Sequence, residues 1–115
     1  MNFPDKDEFL RVFGMKPVEE DSSMALCRYR VHSGRSNLEL LFSMSAVQES
    51  FEVILSCSGQ EVMNFVSERA AKVELYRDSS GGGVHVYFEI HGAQAEAVVT
   101  FEPEIKCHWW LLRTA

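Results

Sequence analysis

The sequence predicts a single α+β domain, built mainly from an antiparallel sheet of about seven strands with a helix at its N-terminus. Its 115 residues are the usual size of one domain, and no linker or internal repeat divides residues 1–115. From residue 24 onward, apolar and polar residues alternate in the manner of half-buried strands. The links between these stretches are short, and short links join antiparallel neighbours.

The N-terminal segment is predicted to form a short amphipathic helix between Asp5 and Gly14. Asp5 can cap its first turn, with Glu8 three residues later, and Phe9 and Phe13 share one face. Gly14 is a typical residue for ending a helix.

The strands are predicted from side chains that recur at every second position and would face the core. The chain should therefore bury a core from most of its length, and the three cysteines should be buried free thiols. The predicted inward residues are Ala25, Cys27, Tyr29 and Val31; Leu38, Leu40, Phe42 and Met44; Phe51, Val53, Leu55 and Cys57; Val73 and Leu75; Val84, Val86, Phe88 and Ile90; Ala95, Ala97, Val99 and Phe101; and Ile105, Cys107, Trp109 and Leu111.

The segment from Gln60 to Ala71 fits two structures. Val62, Phe65 and Val66 fit one face of a helix, and the Glu, Met and Ala residues of the segment favour helix. A strand that enters a bulge is the alternative. We predict a second short helix here.

No residue pattern predicts a catalytic, cofactor or metal site. The run Gly81–Gly83 joins two strands, whereas phosphate-binding loops join a strand to a helix, so we interpret it as a hairpin tip. The four histidines and three cysteines lack the close pairs that zinc sites show. We therefore expect a protein that is not an enzyme and needs no cofactor.

The net charge of the chain indicates which kinds of molecule it is suited to bind. Seventeen acidic and eleven basic residues give a net charge of −6, which disfavours binding to nucleic acid and to anionic membranes. Such a charge would attract a basic protein partner. On charge alone, we favour the simpler interpretation that it keeps a small domain soluble. The N-terminus MNFPDKDEFL lacks the features of a secretory signal, and no apolar run approaches the ~20 residues of a membrane span, so a cytoplasmic location is expected.

The outward positions of the later strands combine carboxylates with tyrosines, a composition that suits protein recognition. Trp110 and Leu112 would also face outward, so either the N-terminal helix or a partner should cover them. We expect the helix, because its phenylalanines need a surface to pack on. The predicted partner contacts are Glu74, Tyr76, Tyr87, Glu89, Glu96 and Glu102.

The stretches that carry the strand pattern read "LELLFS…FEVILSC…KVELYRD…GGGVHVYFEI…AVVTFEPEIKCHWWLLR". In this pattern, and in its size and acidity, the chain resembles the immunity proteins of bacterial polymorphic and contact-dependent growth-inhibition toxins. The resemblance covers most of the chain. It implies a cytoplasmic antitoxin that binds a cognate toxin domain, often a basic nuclease, and blocks its active site. It assigns no binding residue to a numbered position.

Two other functions are compatible with the sequence. One is a small-ligand-binding domain or small enzyme with a pocket in a curved sheet, lined by Tyr29, His32, Trp109 or a cysteine. The other is a structural subunit of a larger assembly.

Overall fold

The computed structural model describes residues 2–112, which contain one α-helix and nine strands in two antiparallel sheets. Strands β1–β5 form the first sheet and β6–β9 the second, and within each sheet every strand pairs with its neighbours in sequence. The elements are α1 (Lys6–Phe13), β1 (Glu19–Asp21), a 3-10 turn (Ser22–Met24), β2 (Leu26–His32), β3 (Leu38–Ser45), β4 (Ser50–Cys57), β5 (Gln60–Ser67), β6 (Ala70–Asp78), β7 (Gly81–Ile90), β8 (Ala93–Glu102) and β9 (Lys106–Leu112).

The predicted class is confirmed: the chain is mostly antiparallel β-structure with an N-terminal helix. The strands number nine rather than about seven within the described residues, because the charged stretch β1 and the segment β5 are also strands. They divide into two sheets instead of one.

Helix α1 has the caps that the sequence predicts. The Asp5 side chain accepts a hydrogen bond from the Glu8 amide at 2.9 Å, and Gly14 adopts the left-handed conformation at φ 69°. Phe9 is fully buried. Within residues 2–112, no helix has the length and apolarity that crossing a bilayer requires.

One apolar core joins the helix and the inner faces of both sheets. Phe42 of β3 stacks on Phe101 of β8 with ring centroids 4.8 Å apart, and Phe9 stacks on Tyr29 at 4.2 Å. The alternation that predicts the core is confirmed for most strands. The predicted inward residues that are buried are Tyr29, Leu40, Phe42, Met44, Phe51, Val53, Val73, Val84, Val86, Phe88, Ala95, Ala97, Val99, Phe101 and Ile105.

The prediction that all three cysteines are buried is wrong for two of them. Cys27 is half-buried against the core, but Cys57 and Cys107 are exposed. Cys57 ends β4 beside a turn, and Cys107 lies on the edge strand β9, so neither is covered by the other sheet. Leu111, also predicted to face inward, is 70% exposed. Ala25 is exposed as well, and it adopts the left-handed conformation just before β2 begins.

The predicted helix over Gln60–Ala71 is wrong, and the strand alternative is the observed one. Ser58 and Gly59 have positive φ values of 52° and 82°, as a two-residue hairpin turn requires, and β5 returns along β4. Apolar residues occupy both faces of β5, and this gives the segment its helix-like spacing. The register shifts between Leu55 and Ser56, as the bulge of the strand interpretation requires.

The glycine run does not form the hairpin tip that the sequence predicts. The turn is made by Ser79 and Ser80, whose geometry is fixed by Asp78: its carboxylate accepts hydrogen bonds from the Ser80 and Gly81 amides. Gly81–Gly83 belong to strand β7 itself. A Cβ atom at Gly83 would collide with the backbone of Val99 and Thr100 on β8, so the glycine permits the two strands to approach closely.

Replacing Gly83 with alanine is therefore expected to lower the free energy of unfolding by about 2 kcal/mol or more, the scale of overpacking in a rigid core. Gly34→Ala is the matched control, because a Cβ atom at Gly34 meets nothing within 4 Å. Its effect should stay within about 0.5 kcal/mol. Chemical denaturation of the two variants measures both values, and equal losses would contradict the close approach at Gly83.

Candidate protein-binding face

Five of the six predicted partner contacts lie on one surface of the molecule, the side of the second sheet that is turned away from the core. We call this surface the outer face. It exists because core-facing and outward-facing residues alternate along the middle of β6, β7 and β8, and because the three strands are adjacent. The five are Glu74 and Tyr76 on β6, Tyr87 and Glu89 on β7, and Glu96 on β8. Glu102 pairs instead with Arg77, whose guanidinium contacts Val12 and Phe13 of α1 on the helix side of the sheet.

A hydrogen-bonded chain of three side chains occupies the middle of the outer face. His85 Nε2 lies 2.7 Å from Glu96 Oε1, and His85 Nδ1 lies 3.3 Å from the Tyr87 hydroxyl. A carboxylate only accepts, so Nε2 donates to Glu96, and Nδ1 of the neutral ring accepts from Tyr87. The His85 and Tyr87 rings stack at 4.3 Å. These contacts hold Tyr87 in a fixed orientation.

Glu96 therefore differs from the solvent-facing carboxylate that the alternation predicts. Its side chain is only 19% exposed, and it pairs with His85, whose side chain is 27% exposed. The role of Glu96 on the outer face is to orient the histidine.

Trp110 of β9 extends this aromatic cluster. Its ring centroid lies 6.0 Å from that of His85 and 5.1 Å from that of His108. The prediction that α1 covers Trp110 is wrong: the helix packs Phe9 and Phe13 against core rings, so it lies on the opposite side of the second sheet. The side chain of Leu112 lies outside the described part. Trp110 therefore remains available on the outer face.

A lysine and a glutamate partly neutralise each other on β6. Lys72 forms a salt bridge with Glu74, and the hydrogen bond and negative charge of Glu74 raise the pKa of Lys72. The ammonium of Lys72 also lies 5.5 Å from the centre of the Tyr87 ring, close enough for a cation–π contact.

Two further contacts lie at the end of the second sheet near the glycine run, the first on the outer face and the second on the helix side. The Tyr76 hydroxyl lies 2.8 Å from Thr100 Oγ1, and Glu102 Oε1 lies 3.0 Å from Arg77 Nε. Tyr76 is thereby fixed, while the exposed ion pair of Glu102 can be exchanged at little cost.

An acidic depression of about 600 Å³ lies at the other end of the outer face, where Glu89 is located. Glu49 and Glu68 line it with Glu89, and Arg69 and His91 are also in its wall. Within residues 2–112 the three carboxylates form no salt bridge, so their charge is not neutralised by a fixed partner. Two backbone hydrogen bonds hold its walls together, from Ala70 N to Glu49 O at 2.8 Å and from Glu89 N to Arg69 O at 3.1 Å.

The sequence pattern predicted only that His85 lacks the spacing of a zinc ligand, and its contact with Glu96 was missed. The two-residue turn at His91 and Gly92, with φ values of 49° and 79°, could have revealed it. That turn fixes the register in which Tyr87 faces Glu96, which places His85 diagonally across from the carboxylate. No comparable signal marks the depression, because its residues come from three links between strands and from the adjoining ends of β6 and β7.

The residues of the alternative small-ligand pocket are not brought together. Tyr29 is fully buried in the core, its hydroxyl has no hydrogen-bond partner in the described part, and burial raises its pKa. Cys27 lines a different depression of about 410 Å³ beside the N-terminal segment. His32 is exposed beside Glu39, and Trp109 packs between Phe65 and Phe88. In residues 2–112 no three His, Cys, Asp or Glu side chains are grouped so that they could hold a metal ion.

The fold is shared with a chain of a toxin–immunity complex. A solved structure described as "Contact-dependent growth inhibition toxin - immunity protein complex from Klebsiella pneumoniae 342" matches with a TM-score of 0.85 over 96% of each chain. The two sequences are 17% identical, so the likeness is one of fold. No protein-family model matches the chain. No curated protein matches it in sequence.

Proposed function

We propose that this chain is an immunity protein that binds a cognate toxin domain and blocks its active site. The observation that carries the proposal is the fold, which matches a chain of a contact-dependent toxin–immunity complex along 96% of its length. The likeness supports a protein partner. The identity of the chain as the inhibiting component, and the toxin's chemistry, are our inferences.

The charge of the chain supports the inhibitor rather than the toxin. A toxin that cleaves nucleic acid must attract phosphates, whereas this chain carries a net charge of −6. Its acidic depression presents Glu49, Glu68 and Glu89 without fixed cationic partners among the described residues. Such a cluster suits the basic residues of a nuclease cleft, where it would occupy the place of an anionic substrate.

The outer face next to the depression supplies the rest of the binding surface. Tyr76 and Tyr87 are held by hydrogen bonds, so they lose little side-chain freedom on binding. With Trp110 they provide the aromatic contacts that dominate many interfaces. The exposed pairs of Glu74 and Glu102 can open to meet charges of the partner.

On this proposal the chain acts by steric and electrostatic blockade. It performs no catalysis, requires no cofactor and works in the cytoplasm, where an incoming toxin would reach its substrate. The six contacts predicted from the sequence remain proposed contacts, with Glu96 acting through His85.

The proposal is tested by growth rescue. Cells that produce the toxin domain encoded directly upstream of this chain should stop growing, and co-expression of the chain should restore growth. A toxin domain from an unrelated system serves as control and should not be neutralised. If the chain is produced in folded form and restores no growth against the adjacent toxin, the immunity function is excluded.

A further inference from the structure

Strand β5 is an exposed edge of the first sheet. It pairs with β4 on one side, and no strand within residues 2–112 pairs with its other side. Its four apolar residues are unusually exposed: Val62 by 56%, Met63 by 36%, Phe65 by 37% and Val66 by 60%. A strand of eight residues with such an edge is a template for another strand.

The other edges of the two sheets are protected more fully than β5, whose one irregularity is the bulge at Val62. Strand β1 has only three residues, all acidic. Strand β6 is covered by the N-terminal segment, since the Val73 amide donates to Asn2 O at 2.8 Å, and by α1. Strand β9 begins with a lysine. Strand β5 has no lysine or proline, and Glu61 is its single charged residue.

The sequence of β5 is symmetric about Asn64. In the stretch EVMNFVS, residues at equal distance from Asn64 match in kind: Met63 with Phe65, and Val62 with Val66. The outermost pair is Glu61 with Ser67, which differ but do not repel. A strand of this kind can pair with its own copy in antiparallel register, because antiparallel self-pairing places each residue opposite the one at equal distance from the axis.

We propose that β5 binds β5 of a second copy of this chain around a twofold axis at Asn64, so that two five-stranded sheets become one of ten strands. Met63 and Phe65 pair with core-facing residues of β4, so they meet on the core side, and Val66 faces the opposite side. Val62 is the extra residue of the bulge, and Glu61 beyond it faces away from the core. The contact is isologous and closes as a dimer.

No two carboxylates lie directly opposite each other in this contact, although each chain carries a net charge of −6. The single carboxylate of β5, Glu61, lies opposite Ser67 of the other copy and not opposite its own equivalent. The core side of the strand is also continuous with a larger apolar surface, since Phe65 contacts Trp109 with ring centroids 3.8 Å apart. Pairing adds backbone hydrogen bonds along the free edge of β5.

The proposed dimer is independent of the proposed function. The outer face lies on the second sheet, whereas β5 ends the first sheet. Each dimer would therefore carry two free copies of the outer face, and the loss of self-association would leave toxin binding intact.

The first test uses charges that depend on the register. The wild-type chain should be a dimer by light scattering and by sedimentation. Val62→Lys/Val66→Lys and Val62→Glu/Val66→Glu should each raise the dimer dissociation constant by roughly a hundredfold or more, because like charges would then lie opposite each other. Both positions are more than half exposed, so the variants should fold. A mixture of the two variants should form a heterodimer, since every introduced lysine then faces an introduced glutamate.

Val18→Lys/Val47→Lys is the matched control, with two exposed valines replaced away from β5. It should remain dimeric. A wild-type chain that is monomeric at all accessible concentrations overturns the proposal, and so does a dimer that the β5 substitutions do not weaken. If the chain is monomeric but the same substitutions abolish toxin binding, β5 is an edge for a strand of the toxin instead.

The second test locates the twofold axis. Asn64→Cys, in a chain whose exposed Cys57 and Cys107 are replaced by serine, places two thiols directly opposite each other across the dimer. Opposite residues of antiparallel strands have Cα atoms roughly 4.5–5.5 Å apart, within the range of a disulfide. Mild oxidation should give a covalent dimer at position 64 and little at Val62→Cys in the same background, because Val62 faces Val66. Equal crosslinking at both positions contradicts the register.

Discussion

Replacing Phe42 with alanine is expected to lower the free energy of unfolding by about 3–5 kcal/mol, a large part of the stability of a domain of this size. Phe42 is fully buried and joins three parts of the fold. Its ring contacts Phe9 of the helix at 6.0 Å, Tyr29 of β2 at 5.3 Å and Phe101 of the second sheet at 4.8 Å. Truncation would leave a cavity that these aromatic rings cannot fill.

Urea denaturation measures this loss, and Leu111→Ala is its control. Leu111 is also a large apolar residue of a strand, but it is 70% exposed, so its truncation should change stability by about 0.5 kcal/mol or less. Similar losses for the two variants would show that the sheets do not meet at Phe42.

Reversing Glu68 and Glu89 to lysine should slow association with the cognate toxin by roughly tenfold or more at low salt. Both carboxylates line the acidic depression and are exposed, and neither forms a salt bridge in the described part. Their field therefore acts directly on an approaching basic partner. Screening shortens its reach to about 8 Å at physiological ionic strength, so the difference between variant and parent should shrink as salt is added.

Association rates at two salt concentrations test this prediction, and thermal melting checks that the variant folds. The control, Asp7→Lys/Glu104→Lys, changes the net charge equally at exposed positions away from the depression. It should retain most of the parental rate. If the control slows binding as much as the test variant, the steering depends on net charge alone. If neither variant changes the rate, the depression is not part of the interface.

Local periodicity predicted the parts of the fold that depend on local residues. The capping of α1 by Asp5 and Gly14 and the alternation in β7 and β8 each depend on about ten consecutive residues. The structure confirms both. Strand β5 was missed because an edge strand that is exposed on both sides need not alternate. The division into two sheets was not predicted, because it depends on which consecutive strands do not pair. Here β5, which ends at Ser67, does not pair with β6, which begins at Ala70.

The outer face was predictable, and its internal contacts were not. Alternation alone placed Glu74, Tyr87 and Glu96 on one side of the sheet. The hydrogen bond from His85 to Glu96 depends on the register set by the turn at Gly92, which a pattern of faces does not specify. The acidic depression requires Glu49, Glu68 and Glu89 to converge from distant parts of the chain.

The most direct measurement of the central claim is a titration of the purified toxin domain with this protein. The activity of the toxin is measured at each step of the titration. The account predicts tight binding and an activity that falls in proportion to the protein added, reaching zero at one chain per toxin domain. This endpoint holds whether the chain is a monomer or a dimer with two free outer faces. Full toxin activity in the presence of excess folded protein would contradict the account.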